Sequence, residues 1–303
     1  MIGFSGTLLV QDFVNGVFLG AVFALLGIGV VLIYKSSGVL NFAHGSMAMF
    51  STYVYFEVDR SLGPPVVVSV IVAVLAGAAI GAGSYILIFK RLRDAGLLAK
   101  VIAALAVAGV LQGAAAFIWR GALQARPPQQ FPDGALRIGG VGLGWQQLGT
   151  VVLTLLVAAG VIALVRYTTF GVALRATAQN RTAARLLGVQ QDRVAATSWA
   201  IGGGLAALAG ALVIPLSVLT VYSMLGYMVR GFVAAVVGGF VSLPAALVGG
   251  FGLGAVQESL LAFDSLRSLS RVFAGLVIAA LLLFRVERFF ALEQELRALE
   301  EQN

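Results

Sequence analysis

Polar residues are so thinly spread along this chain that it reads as a series of apolar runs with short polar breaks. Val14 to Ile33 supplies about twenty residues, enough to cross a hydrocarbon core of roughly 30 Å as a helix, and Lys35 closes the run. Its Gly16, Gly20, Gly27 and Gly29 offer small surfaces against which a neighbouring helix can pack closely. Residues 38–56 begin irregularly, with Asn41, His44, Gly45 and Ser46, which predicts a helix that starts late after a polar lead-in. Non-helical backbone at membrane depth survives only beside protein or a water-filled cavity; the plainer reading is a cap at Asn41 with His44 satisfied in the interior.

Pro64 and Pro65 open the third span, Val66 to Phe89, where Gly77, Gly81 and Gly83 mark a close-approach face. Val101 to Trp119 carries Gln112 among apolar residues, a position better suited to bonding a neighbouring helix than to holding a solute. Leu148 to Val165 and Trp199 to Leu219 are the fifth and sixth spans. Ser223 to Val241 and Pro244 to Phe263 form either two full helices or a hairpin of shorter ones, with a sharp reversal near Pro244. The last run, between Arg271 and Arg285, is short enough to need snorkelling arginines or an adapted bilayer. With 223–263 taken as a broken pair or hairpin, the pattern predicts about eight spans.

Two polar stretches stand apart. Residues 120–147, rich in glycine with Pro127, Pro128 and Pro132, read as a loop with turns and a short hairpin, either a connector or a surface for a soluble partner. Residues 285–303 place Phe289, Leu292, Leu296 and Leu299 at helical spacing, an amphipathic tail on the membrane surface or against a partner.

Composition narrows the class. The chain is 60% hydrophobic and 11% charged with a mean hydropathy of +0.99, whereas soluble domains carry about a quarter charged residues; it is an all-α, polytopic helical membrane protein. A net charge of +7 could suggest nucleic acid, but the basic residues lie between apolar runs instead of along one stripe, so they are read as topology, with the lipid bilayer and no nucleic acid as partner. With no Cys and one His there is no thiolate or multi-histidine metal site. Lysine occurs only at positions 35, 90 and 100, so no phosphate-binding loop exists here, and any ATP-driven action needs a separate ATPase. No triad or carboxylate pair points to catalysis. The N-terminal residues lack a basic region and carry Asp12, so they are expected to be retained rather than cleaved.

The informative stretch is RYTTFGVALRATAQNRTAARLLGVQQDRV, from Arg166 to Val194, where Arg166, Arg175, Arg181, Arg185 and Arg193 face one acid, Asp192. Ala, Leu, Arg and Gln without Pro from 171 to 187 predict one helix, Gly188 a left-handed stop, and residues 190–198 a second helix, the pair lying beside the membrane. A loop that only fixes topology is the common alternative.

LRATAQNRTAARLLGV resembles the coupling loop of bacterial ABC importer permeases, specifically the branched-chain amino-acid permease family (LivH type). NFAHG at 41–45 and NGVFLGAVFALLGIGVVLIY before it resemble the same family, and the likeness covers nearly the whole chain. It implies a type II ABC importer-like permease domain with broken or re-entrant helices over 1–284, coupling helices within 166–196, and ATPase contacts at Arg175, Ala178, Asn180, Arg181, Ala184, Arg185 and Gly188. The general form of that loop begins with Glu, where Gln179 and Asn180 stand nearby instead.

The resemblance further implies a second related permease, two ATP-binding cassette ATPases that use ATP and Mg, and an external binding protein delivering a branched-chain or other hydrophobic amino acid, with no cofactor on this chain. Related permeases carry amides, urea or aromatic acids, so the solute stays open. A self-sufficient carrier or channel is the rival; it would show ionisable residues deep in the membrane, and only Glu258, Arg230 and His44 approach that, each toward the end of its run. For the translocation pathway the candidates are the irregular segments at Asn41, His44 and Gly45 and at Gly238 and Gly239, where freed backbone can line a passage; simple helix packing is the alternative for the last two. Placing Lys35, the 90–100 cluster, the 166–193 arginines and the tail inside puts most of the 20 basic residues there, so the N-terminus is expected outside and the C-terminus in the cytoplasm of a bacterial inner membrane.

Overall fold

A computed structural model describes residues 6–120, 127–263, 266, 269–270 and 272–277. Ten helices run through it: α1 (Gly6–Ser37), α2 (His44–Leu62), α3 (Val66–Ser84, continued by a π-helical turn Tyr85–Phe89), α4 (Leu97–Ile118), α5 (Trp145–Tyr167), α6 (Thr169–Gln179), α7 (Arg181–Leu186), α8 (Gln191–Val213, ending in a 3-10 turn), α9 (Leu225–Val237) and α10 (Leu243–Ser259). The predicted short hairpin is present before α5 as β1 (Ala135–Ile138) antiparallel to β2 (Val141–Gly144). The final apolar run is described only at 272–277, and the tail 285–303 lies outside the described residues.

Among the described residues six helices are long and apolar enough to cross a membrane: α1, α3, α4, α5, α8 and α10. The expected eight included 38–56 and 223–241, which become α2 and α9. α2 carries Glu57, Asp59 and Arg60 in its second half, and α9 has 13 residues, about 20 Å of helix. Each nevertheless packs inside the bundle.

α1 and α8 are the buried centre, and α3, α4, α5 and α10 surround them with largely exposed outer faces. At 32 residues α1 outruns its apolar core, because its polar ends are held. Gln11 exchanges two bonds with Gly142 of β2, at 3.0 and 2.8 Å, and the Ser36 and Ser37 hydroxyls donate back to the Ile33 carbonyl. Close approach depends on missing side chains: a Cβ on Gly16 would sit 2.5 Å from the Gly254 carbonyl oxygen, and one on Gly77 would sit 2.5 Å from that of Gly203. Gly83, expected on the same face, instead faces open space.

α2 starts at His44, after the expected irregular lead-in, a turn in which the Asn41 side chain accepts from the Ala43 N–H at 3.1 Å. Two helix expectations change. The expected single helix over 171–187 is two, broken at Asn180, whose extended backbone and side chain, accepting from Ala183 N–H at 3.0 Å, cap α7. The helix expected over 190–198 does not lie beside the membrane; it is the first two turns of α8, which runs unbroken to Val213. The 223–263 region is a hairpin of shorter helices. Its reversal lies at 238–242, with Gly239 and Phe240 at positive φ, while Pro244 sits in the first turn of α10.

Candidate functional site

The end of the bundle that carries Lys35 gathers the sequence-predicted contact residues. Thr168 closes α5 and caps α6 by accepting from Gly171 N–H at 3.3 Å. Asn180 then redirects the chain into α7, and Gly188, at φ 81, turns it into α8. Leu174, Thr177 and Ala184 form the inward face of this α6–α7 elbow and are buried. Ala178, Asn180, Arg181, Arg185 and Gly188 are exposed, and Arg175 is half-buried with its guanidinium donating to the Val165 carbonyl. Of the seven predicted contact positions, Ala184 therefore faces the bundle and the others are wholly or partly accessible. The sequence reading passed over Leu186 and Leu187, which are 82% and 83% exposed. The signal was their place just past the inward-facing Ala184, at the end of a short helix that Gly188 stops.

The elbow is tied into the bundle behind it. Asp192, the one acid of the stretch, pairs with Lys90 at 3.2 Å and Arg93 at 3.9 Å and accepts from the Tyr85 hydroxyl at 3.1 Å, locking the π turn of α3 to the start of α8. About two helical turns further on, Trp199 is fully buried, with its ring tilted against Phe89 at 4.5 Å and its indole N–H donating to Ser37 at 3.1 Å. Lys35 donates to the Val241 carbonyl at 2.9 Å, and Tyr34 meets Phe240 at 5.0 Å, so the α9–α10 turn is pinned to the end of α1. Between that turn and α6 lies a cavity of about 530 Å³ whose charged lining is Lys35, Arg175 and Arg181, with no acid. Because Asp192 is already paired with Lys90 and Arg93, the face the elbow presents is net positive.

The five pathway candidates do not share one location. Asn41 and His44 are fully buried. The His44 ring packs where a Gly29 side chain would lie, and the Leu26 backbone is a polar neighbour without full hydrogen-bond geometry. Gly238 and Gly239 form the turn beside Lys35. Gly45 alone of the five lines a groove, about 580 Å³, bounded by α2, α4, α9 and the segment at 221–224. A second groove, about 540 Å³, lies between α3, α5 and α8 and is lined almost wholly by Val, Ile, Leu and Phe. Of the ionisable residues singled out by the sequence, Arg230 donates to the Gln257 side chain at 2.8 Å across the α9–α10 contact and lies over the Phe23 ring.

A family model described as the branched-chain amino acid transport system permease component matches residues 13–282. The high-affinity branched-chain amino acid transport system permease protein BraD of Pseudomonas aeruginosa is 30% identical over 260 residues, 82% of this chain and 84% of BraD. The corresponding LivH protein of Salmonella typhimurium is 31% identical over 288 residues, 90% of this chain and 92% of its own length. A probable branched-chain amino acid transport permease, LivH of Methanocaldococcus jannaschii, is 29% identical over 246 residues, 79% and 76% of the two chains.

Proposed function

The chain belongs to the branched-chain amino acid transport permease family, and from that premise we propose that it is the membrane-embedded subunit of an ATP-driven importer for branched-chain or similar hydrophobic amino acids. It is a multi-pass membrane subunit of a transport system and not an enzyme. Its partners in this reading are a second related permease, two ATP-binding cassette ATPases that bind ATP and Mg, and an external protein that delivers the solute. Residues 1–284 form the permease domain, 166–196 hold the coupling helices, and 285–303 add a surface tail. The N-terminus lies outside and the C-terminus in the cytoplasm.

One observation carries the reading: the α6–α7 elbow holds Arg181, Arg185, Leu186 and Leu187 out of an otherwise apolar bundle, on a chain that has no phosphate-binding loop of its own. Exposed leucines between arginines suit a groove on a partner whose rim is acidic. Closure of two ATPases around ATP moves the elbows, and the ties through Asp192, Trp199 and Lys35 pass that displacement to α1, α3, α8 and the α9–α10 turn. The effect is a population shift between outward-open and inward-open bundles, driven by the partner's differential affinity for the two. Asn41, His44 and the Gly238–Gly239 turn shape the moving parts around the pathway, and Gly45 borders it. A self-sufficient carrier is the weaker reading because Arg230 is already engaged by Gln257 and His44 is enclosed.

The test is charge reversal at Arg181→Glu with Arg185→Glu in the assembled complex. Uptake is expected to fall by about tenfold or more, equivalent to about 1.4 kcal/mol of coupling, while the chain still inserts. Wild-type uptake by that variant, or solute uptake by the chain alone in liposomes without an ATPase, overturns the proposal.

A further inference from the structure

We propose that the groove between α2, α4 and α9 is this chain's share of the solute path, with Ser46 and Gln112 as its polar station. They hold the hydrogen-bonding head of a small amphiphile while Met224, Met228 and Val229 receive its apolar side chain. The inference rests on the permease reading above and adds to it the site and the chemical class that the site takes.

The groove is apolar except at one place. Gln112 on α4 donates to the Ser46 hydroxyl oxygen on α2 at 3.3 Å. Among the described residues the Gln112 carbonyl accepts nothing and the Ser46 hydroxyl donates to nothing, leaving one acceptor and one donor free at the groove wall. A pair serving only to hold two helices together in a dry contact would leave those groups unsatisfied, which is costly. A passing solute with a carboxylate and an ammonium, or an amide, satisfies both. Methionine walls suit such a site, because the flexible, polarizable side chain repacks around apolar groups of different shape.

The second groove provides the contrast. Its polar residue, Gln130, already donates to the Tyr55 hydroxyl at 2.9 Å and accepts from Gln146 at 2.7 Å, so it has no free group of this kind to offer. The groove at α2, α4 and α9 also has an aromatic constriction. Phe42 and Phe232, stacked at 5.2 Å, narrow it between α2 and α9 on the side of the Lys35-held turn, so a wider passage there needs α9 to shift against α2. Gly45 sets how closely those two helices sit, since a Cβ there would lie 2.8 Å from the Met228 Cβ. Gly109, on the α4 wall, has nothing within 4 Å of a notional Cβ and so faces the open groove.

The chain has no cysteine of its own, so the wild-type complex treated with the same reagent reports any thiol that its partners carry. Gly109→Cys and Val229→Cys are introduced singly into the assembled complex in proteoliposomes, with Gly160→Cys on the exposed face of α5 as the comparison. ATP-driven uptake of radiolabelled L-leucine, L-phenylalanine and urea is then measured before and after a charged, water-borne thiosulfonate reagent. The reagent is expected to react at positions 109 and 229, to block uptake there, to be slowed by the transported solute, and to leave the position-160 variant transporting. In parallel, Gln112→Leu is expected to raise KM for the transported solute tenfold or more with the complex still assembled and kcat changed by less than threefold. If positions 109 and 229 stay unreactive in a transporting complex, the groove is filled by lipid or by the second permease, and the inference falls. It also falls if Gln112→Leu leaves KM within twofold of wild type, or lowers kcat alone. If the wild-type complex imports none of the three solutes on ATP, the importer reading itself fails, a result distinguishable from the others because it appears before any substitution is made.

Discussion

Gly254 shows what single residues decide in this bundle. Its Cβ would run into the Gly16 carbonyl and the Gly20 backbone, and backbone cannot swing aside as a flexible side chain can. Lipid gives two helices no hydrophobic reason to associate, so such contact rests on close van der Waals packing. Gly254→Val is expected to separate α10 from α1, at about 1–3 kcal/mol or more for overpacking. The measurement is the thermal unfolding temperature of the purified protein in detergent, with Gly160→Val, which meets open space, expected to leave it unchanged. Most of this was readable in advance: Gly16, Gly20, Gly27, Gly29, Gly77 and Gly81 each abut another helix as their spacing suggested. Gly83 was misassigned because two residues along a helix turn about 200°, carrying it off the face that Gly81 shares. What the chain could not reveal was which polar groups end up sealed. Asn41 and His44 look like pathway residues in the sequence and are wholly enclosed, while Gln112, which looked like a strut, borders the groove.

At the scale of elements, the α6–α7 break sets the direction in which the arginine elbow points. Residues 171–187 contain every feature of one helix, and nothing in their propensities forbids it. Asn180 wins because its side chain offers the backbone a bond that helix continuation does not, accepting from Ala183 N–H in place of a turn of the ladder. Asn180→Ala removes that alternative, at about 1 kcal/mol of local stability, and lets α6 and α7 merge into a straight rod that aims Arg185, Leu186 and Leu187 elsewhere. ATP-driven uptake is expected to drop several-fold with normal membrane insertion. Asn180→Asp, which keeps the cap, should retain most of it; equal loss in both variants in a paired uptake assay would mean that the cap is not what matters. The helix expected at 190–198 failed for a related reason. The polar Gln-Gln-Asp was read as a surface segment, but with no proline before Pro215 and its glycines packed against other helices it is only the first turn of a span, anchored by Asp192 to Lys90 and Arg93.

For the molecule as a whole, hydropathy treats every helix as if lipid surrounded it, and two of the runs counted as spans, α2 and α9, depart from that picture in composition or length. α2 lies against α8, α3 and α4, and can carry Ser, Thr and Tyr where lipid would not tolerate them. α9 is short because its path is completed by non-helical chain at 217–224, sheltered by protein. The charge pattern survives this correction. Lys35, Lys90, Arg93, Arg175 and Arg181 all gather at one end of the bundle, and the β1–β2 hairpin bonded to Gln11 lies at the other end of α1. Each Lys or Arg carried into the membrane centre costs about 2.5–3.5 kcal/mol, so the end with the cluster is expected on the cytoplasmic side. The Lys35 bond to the Val241 carbonyl ties the α9–α10 turn to the same end, so the turn is expected on the same side as the cluster. Single cysteines at Leu136, Arg185 and Val241, all exposed, decide it with a membrane-impermeant maleimide. Leu136→Cys should label in intact cells, and Arg185→Cys and Val241→Cys only after the membrane is opened. Labelling of Val241→Cys alongside Leu136→Cys would make α9–α10 a re-entrant loop from outside, and reversal of the Leu136 and Arg185 pattern would place the arginine elbow beyond the reach of any cytoplasmic ATPase.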